Sequence, residues 1–166
     1  ELQRRRRPHK GMLFVRMLTS RGPVSVLNVH LDTKREARVR QLQLVLDVVR
    51  RYHRDEPLVL AGDLNEDTCD VEKEGDVSGG VARLLGRAAF TDASCGVGPT
   101  IGGLRLGLLQ GALFPAEIDH VYVAGAVPTS KRTRVFSRPR GGGHLSDHDA
   151  VLSVIRLLGR VTQGAW

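Results

Sequence analysis

Four short clusters in this sequence combine carboxylates, carboxamides and imidazoles. They are Asn28-Val29-His30-Leu31, Gly62-Asp63-Leu64-Asn65, Ile118-Asp119-His120-Val121 and Ser146-Asp147-His148. Taken singly, each has a structural explanation, because Asp and Asn are favoured at turns and a lone His is commonly a hydrogen-bonded structural residue. Together, Asp63, Asp119, Asp147, Asn65, His30 and His148 form a hard, oxygen-rich set suited to Mg²⁺ or Mn²⁺ and to phosphate. Cys69 and Cys95 make a poor disulfide framework and an incomplete zinc site. Read as unpaired thiols, they would fit a reducing compartment without deciding it.

The elements that must position these clusters follow from hydrophobic period and turn chemistry. Residues 12–18 and 24–31 are β-rich runs separated by Ser20-Arg21-Gly22-Pro23, which predicts a hairpin. Thr33 and Glu36 have the spacing of a capping box. The helix they would open carries Leu42, Val45, Leu46 and Val49 on one face. Residues 58–61 are a short apolar run typical of a buried strand. A polar loop over 66–80, a short helix over 81–87 and an irregular Gly-rich stretch over 96–111 follow. Strands are expected over 118–124, 127–136 and 150–157, the last preceded by three glycines at 141–143. This order predicts an α/β fold with helices outside a sheet. Each apolar strand ends in one of the polar clusters, and strand ends are where α/β proteins gather catalytic groups. One shared site is the simplest reading.

In this order, the four clusters resemble the NxHL, GDxN, IDxx and SDHxxV motifs of the endonuclease/exonuclease/phosphatase (DNase I-like) family. The resemblance runs over about residues 11–157 and matches no single named protein. It implies the C-terminal part of a DNase I-like β-sandwich, two mixed β-sheets flanked by helices. It further implies that His30 hydrogen-bonds the scissile phosphate and that Asp63 orients and deprotonates the attacking water. Asn65 would hold that water or a phosphate oxygen. Asp147 would ligate the divalent ion, Mg²⁺ or Mn²⁺, with Asp63 and Asn65 beside it. His148 would contact the phosphate, oriented and kept cationic by Asp119, since a carboxylate beside an imidazole raises its pKa.

Neighbouring residues have simpler readings. His120 follows Asp119 on a strand, so alternation turns it to the other face as a structural residue. His144 is a solvated loop histidine, and Asp149 points away from His148. Asp32 and Thr33 belong to the helix start. One of Arg38, Arg40 and Gln41 could reach phosphate, and Glu36–Arg40 is a minor surface pair.

The family's last motif carries a Pro where Asp149-Ala150-Val151 stands here, a change that touches the strand entry more than the chemistry. Family members also run longer and place a metal-binding Glu in an N-terminal half that this chain does not contain. The chain is expected to belong to a longer protein, because its four later motifs are intact, with a degenerate form carrying a weakened metal site as the alternative. Alone it would have little activity and an exposed apolar sheet face. Residues 1–10 are read as a basic arm, 11–158 as the domain and 159–166 as a tail.

The formal charge of +7 favours polyanionic partners. It is concentrated at residues 4–7 with His9 and Lys10, and at Lys131, Arg132, Arg134, Arg138 and Arg140. No apolar stretch is long enough to span a bilayer. A phosphate-containing substrate is implied, with nucleic acid one candidate. Alternatives are an inositol-phosphate or sphingomyelin-type phosphoester, or phosphate binding without hydrolysis. Scarce aromatics, 4% of residues, weigh against extensive base stacking. The complete protein is expected to be a monomer.

Overall fold

A computed structural model describes residues 10–52, 56–69, 80–101, 115–135 and 146–158. The arm at 1–9, the tail at 159–166, the glycines at 141–143, His144, Arg138, Arg140, most of the 66–80 loop and the later part of the Gly-rich stretch lie outside the described residues.

The hairpin forms as β1 (Met12–Thr19) and β2 (Gly22–His30), paired antiparallel with Met12 opposite Val29. Helix α1 (Arg35–Tyr52) crosses to β3 (Leu58–Asp63), which pairs parallel with β2, as a strand–helix–strand unit requires. After α2 (Val81–Arg87) come the short β4 (Thr91–Asp92) and β5 (Asp119–Ala124), and β5 pairs antiparallel with both β3 and β4. The main sheet therefore has the order β1-β2-β3-β5-β4. A second sheet, β6 (Ala126–Val135) with β7 (Ala150–Leu157), lies against β4 and β5. Two sheets with outer helices satisfy the predicted α/β class.

Strand alternation gives the main sheet two unlike faces. One carries Leu27, Val29, Leu58, Leu60, Tyr122 and Ala124, and it packs with Leu42, Val45, Leu46 and Val49 of α1 and Val81 and Leu85 of α2. Each of these leucine and valine side chains contributes about 2 kcal/mol by leaving water. The other face carries Val26, Val59 and Val121, half-buried, and on β1 the exposed Leu13, Val15 and Met17. Toward β1 this face is exposed as anticipated above, whereas Val24 and Val123 on the same face are buried. No helix among the described residues is long and apolar enough to cross a membrane.

Three expectations need correction. The capping box is replaced by a tighter turn: α1 opens at Arg35, and the Asp32 carboxylate accepts the Lys34 N–H at 2.8 Å. Arg38 is buried and does not reach toward a substrate. Its Nε donates to Glu66 Oε2 at 3.0 Å, and its Nη1 donates to the carbonyls of Asp32 and Thr33. Gln41 is likewise engaged, its Oε1 accepting the Asp32 N–H. Finally, Cys69 and Cys95 are joined as a disulfide, their Cα atoms 5.4 Å apart. Both lie in loops that flank β4 and β5, a proximity across 26 residues that spacing could not reveal.

Candidate active site

Parallel pairing brings the C-terminal ends of β2 and β3 to the same edge, and antiparallel pairing brings the start of β5 there too. The register sets His30 opposite Asp63 and Asp63 opposite Asp119. Directly opposed residues share a face, so the three side chains form a row across three strands, on the face away from the helices. His30 Nε2 lies 3.2 Å from Asp63 Oδ2. The ladder continues past the strand ends, with Leu31 N donating to Asp63 O at 2.9 Å and Leu64 N to Ile118 O at 2.8 Å. These bonds hold the three ends as one platform.

Asn65 is set by a turn that Asp63 makes itself. Asp63 Oδ1 accepts the Asn65 N–H at 2.8 Å, and Asn65 takes φ +50°, a conformation Asn tolerates better than most residues. Its Nδ2 donates to Leu31 O at 2.9 Å. The amide NH₂ is thus directed to the backbone, and the amide oxygen remains as the group's acceptor.

His148 arrives from the loop before β7. Its Nδ1 sits 2.8 Å from Asp119 Oδ2, and its backbone N–H donates to Ser146 Oγ. Burial works against a charge on His148. The hydrogen bond and charge of Asp119, with the charges of Asp63 and Asp147, outweigh it and raise its pKa above the usual 6.5. That balance brings the exposed Asp147 into the same electrostatic field as Asp63 and Asp119. His30, Asp63, Asn65 and Asp119 therefore meet at one edge of the main sheet, and His148 reaches it from the loop before β7, with the exposed Asp147 next to it in the chain.

Two neighbours were not singled out individually as site residues. Lys10 Nζ contacts His30 Nε2. The hairpin register held that signal, since Met12 opposes Val29 and two further residues carry the chain alongside Leu31 and His30. Thr100 is the other. Its buried hydroxyl accepts the Asp119 N–H at 3.1 Å and the Ile118 N–H at 3.2 Å, while its carbonyl accepts the Asp149 N–H at 2.8 Å. It ties the two halves of the Asp119–His148 pair together from inside a stretch whose sequence looks irregular.

A second carboxylate–imidazole pair occupies the opposite face. His120 is fully buried, with Nδ1 3.0 Å from Asp92 Oδ2 and Nε2 2.8 Å from the Glu117 carbonyl. Burial opposes its cation, but Asp92 and Glu117 more than offset this and raise its pKa. Burial would raise that of Asp92, yet His120 and Ser94 hold it below its usual value. The structural reading of His120 agrees with this placement.

Residues 5–148 match the model of the family described as Endonuclease/Exonuclease/phosphatase family. Among curated proteins nothing matches. Among solved structures, the endonuclease/exonuclease/phosphatase of Beutenbergia cavernae DSM 12333 shares 25% identity at a TM-score of 0.63, over 92% of this chain and 40% of that one. Truncated TDP2 of Caenorhabditis elegans shares 22% identity at a TM-score of 0.60, over 86% and 58%. The endonuclease domain of TRAS1, a telomere-specific non-LTR retrotransposon, shares 18% at a TM-score of 0.63, over 88% and 64%. This chain thus spans about half the length of the structures it matches. With the DNase I-like arrangement of its sheets and a family model matching most of its length, the chain belongs to the endonuclease/exonuclease/phosphatase family.

Proposed function

We propose that this chain carries the phosphate-handling side of a phosphodiesterase active site, and that the protein hydrolyses a phosphodiester with nuclease-like chemistry. The observation that supports the reading best is the meeting of two carboxylate–imidazole pairs, His30–Asp63 and Asp119–His148, along one sheet edge. Asp63 is a carboxylate already held in a turn, suited to orient a water and take its proton. His148, kept cationic by Asp119, and His30 would donate to non-bridging phosphate oxygens as negative charge builds there. Lys10, against His30, adds a positive charge at the same point. Water attack at phosphorus needs positioning and charge more than a covalent intermediate, so a rigid strand edge is an appropriate support.

The donor set also suits a hard divalent cation. Asp63 and Asp147 offer carboxylate oxygens, and Asn65, its NH₂ turned to Leu31, offers an amide oxygen. These residues would hold Mg²⁺ or Mn²⁺, which supplies neutralisation of phosphate charge and polarisation of the phosphorus–oxygen bond.

Nucleic acid is favoured over a small phosphoester by charge: Lys131 and Arg132 are exposed on β6, adding to Lys10 beside His30. TDP2 of Danio rerio, 15% identical, has been solved with a single-strand DNA product, which for this chain is a pointer only. The test is turnover of plasmid, single-stranded oligonucleotide, inositol phosphate and bis-nitrophenyl phosphate by the complete protein with Mg²⁺ or Mn²⁺. Cleavage of the nucleic acids is expected. Phosphate binding with no hydrolysis of any of the four would sink the enzymatic reading.

A further inference from the structure

We propose that Cys69, Cys95, Asp92 and His120 form a redox-gated site for one Zn²⁺, occupied when the two cysteines are thiols and closed when they are a disulfide. The site is separate from the catalytic row. Asp92 opposes Tyr122 across the β4–β5 pair, so with His120 it sits on the face opposite Asp119.

Ligand atoms of Cys69, Asp92 and His120 all lie within 4.8 Å of one another. The Glu117 carbonyl can only accept, so at 2.8 Å it requires the His120 proton on Nε2. The Nδ1 lone pair of a neutral ring then faces Asp92 Oδ2 at 3.0 Å, where two lone pairs repel unless a cation lies between them. A proton can fill that role, and so can a metal. With Zn–N and Zn–O bonds near 2.1 Å, the N···O edge of a tetrahedron is about 3.4 Å, a few tenths of an ångström beyond the separation present.

The surroundings are those of a supported ligand pair. Asp92 Oδ1 accepts from Ser94 N, Ser94 Oγ and Cys95 N, which orients Oδ2 toward His120, where Thr68 Oγ1 also donates to it at 3.2 Å. The carbonyl on Nε2 fixes the ring and its tautomer, as outer partners of metal-bound histidines do. Cys69 Sγ lies 3.3 Å from Glu117 Oε1, which it can engage as a donor once reduced to a thiol, and Glu117 is itself held by Gly96 N and Gly98 N. Cys95 brings the second sulfur, already bonded to that of Cys69. Two sulfurs, an imidazole and a carboxylate suit Zn²⁺, unlike the all-oxygen set of the cleft.

The chemistry balances through a dithiol reductant. The reductant gives two electrons and two protons to the Cys69–Cys95 bond and leaves as its own cyclic disulfide. Zn²⁺ then displaces both thiol protons, with the Nδ1 proton when His120 is charged. Both cysteines are partly exposed, within reach of such a reductant.

The test uses Co²⁺ as a spectroscopic substitute, added to the full chain after reduction and anaerobic removal of the reductant, in excess Mg²⁺. One equivalent should bind with thiolate-to-cobalt charge-transfer absorption and tetrahedral visible bands, and Zn²⁺ should bleach both. The oxidised protein should show neither. Cys69→Ser and Cys95→Ser should each lower the charge-transfer intensity by roughly half and weaken binding about tenfold or more, as expected for a lost ligand. Asp147→Asn, in the cleft, should leave the spectrum unchanged. Reduced, folded protein without the thiolate band would overturn the site, as would a band indifferent to both serine variants or one lost with Asp147→Asn. None of these outcomes depends on whether the protein hydrolyses phosphodiesters.

Discussion

Asp119 Oδ2 and His148 Nδ1 stand 2.8 Å apart although 29 residues separate them in the chain. The carboxylate comes from the first residue of β5 and the imidazole from the loop entering β7, and Thr100 bonds to the backbone beside both. The pair raises the pKa of His148, so the cation persists above pH 6.5 and is lost as pH rises through the raised value. Any stability the pair contributes follows the same course, complete below 6.5 and lost across that window.

Asp119→Asn is therefore expected to lower kcat/KM on a phosphodiester by on the order of 10²- to 10³-fold. It should also draw the alkaline limb of the pH–rate profile back toward 6.5. Steady-state kinetics across pH would check both. An unmoved alkaline limb would mean that His148 is not the group titrating there.

Metal removal gives the second prediction. On the proposed assignment Asp63, Asp147 and Asn65 would supply few oxygen ligands, and Mg²⁺ keeps its waters, so occupancy should be readily reversible. Exhaustive chelation with EDTA should abolish hydrolysis, and added Mg²⁺ or Mn²⁺ should restore it. Full activity after chelation would remove the metal from the mechanism.

Gly62 precedes Asp63 and has φ +133°. A Cβ there would lie 2.0 Å from the carbonyl oxygen of Val29, in the backbone of the adjacent strand. Gly62→Ala should therefore part β2 from β3 just where His30 and Asp63 face one another. A loss of about 3 kcal/mol or more is expected in urea unfolding, combining strain and a broken ladder. A variant of unchanged stability would show that the strand ends are less rigid than their hydrogen bonds indicate.

Arg38 and Glu66 form a buried ion pair, and Glu66 Oε1 also accepts the first N–H of α2 from Val81 at 2.7 Å. Arg38→Met removes one partner and leaves a buried carboxylate, at a cost of roughly 3–5 kcal/mol. Since Arg38 faces Glu66, the KM for a phosphodiester should hold well below the melting temperature. A raised KM with unchanged unfolding free energy would restore the phosphate-binding role suggested by the residue's nearness to His30.

Local signals in the sequence were strong wherever a single element carried the information. The hairpin, the apolar stripe of α1, the buried β3 and the final strand follow from turn residues and hydrophobic period, and these hold whatever the rest of the chain does. The four polar clusters were visible because each ends or begins a strand, and their types alone indicated oxygen-ligand and phosphate chemistry. Tertiary structure decided the pairings. That His30 faces Asp63 and Asp63 faces Asp119 depends on one parallel and one antiparallel register, which a one-residue slip would reverse. Arg38 turned inward because Glu66, 28 residues on, was there to receive it. In sequence Cys69 and Cys95 were an incomplete zinc site and His120 a structural residue, since their meeting with Asp92 depends on how β4 pairs with β5 and where the loop after β3 returns. Residue type and period are local properties, whereas a site made from several strand ends exists only once non-local hydrogen bonds have set the register.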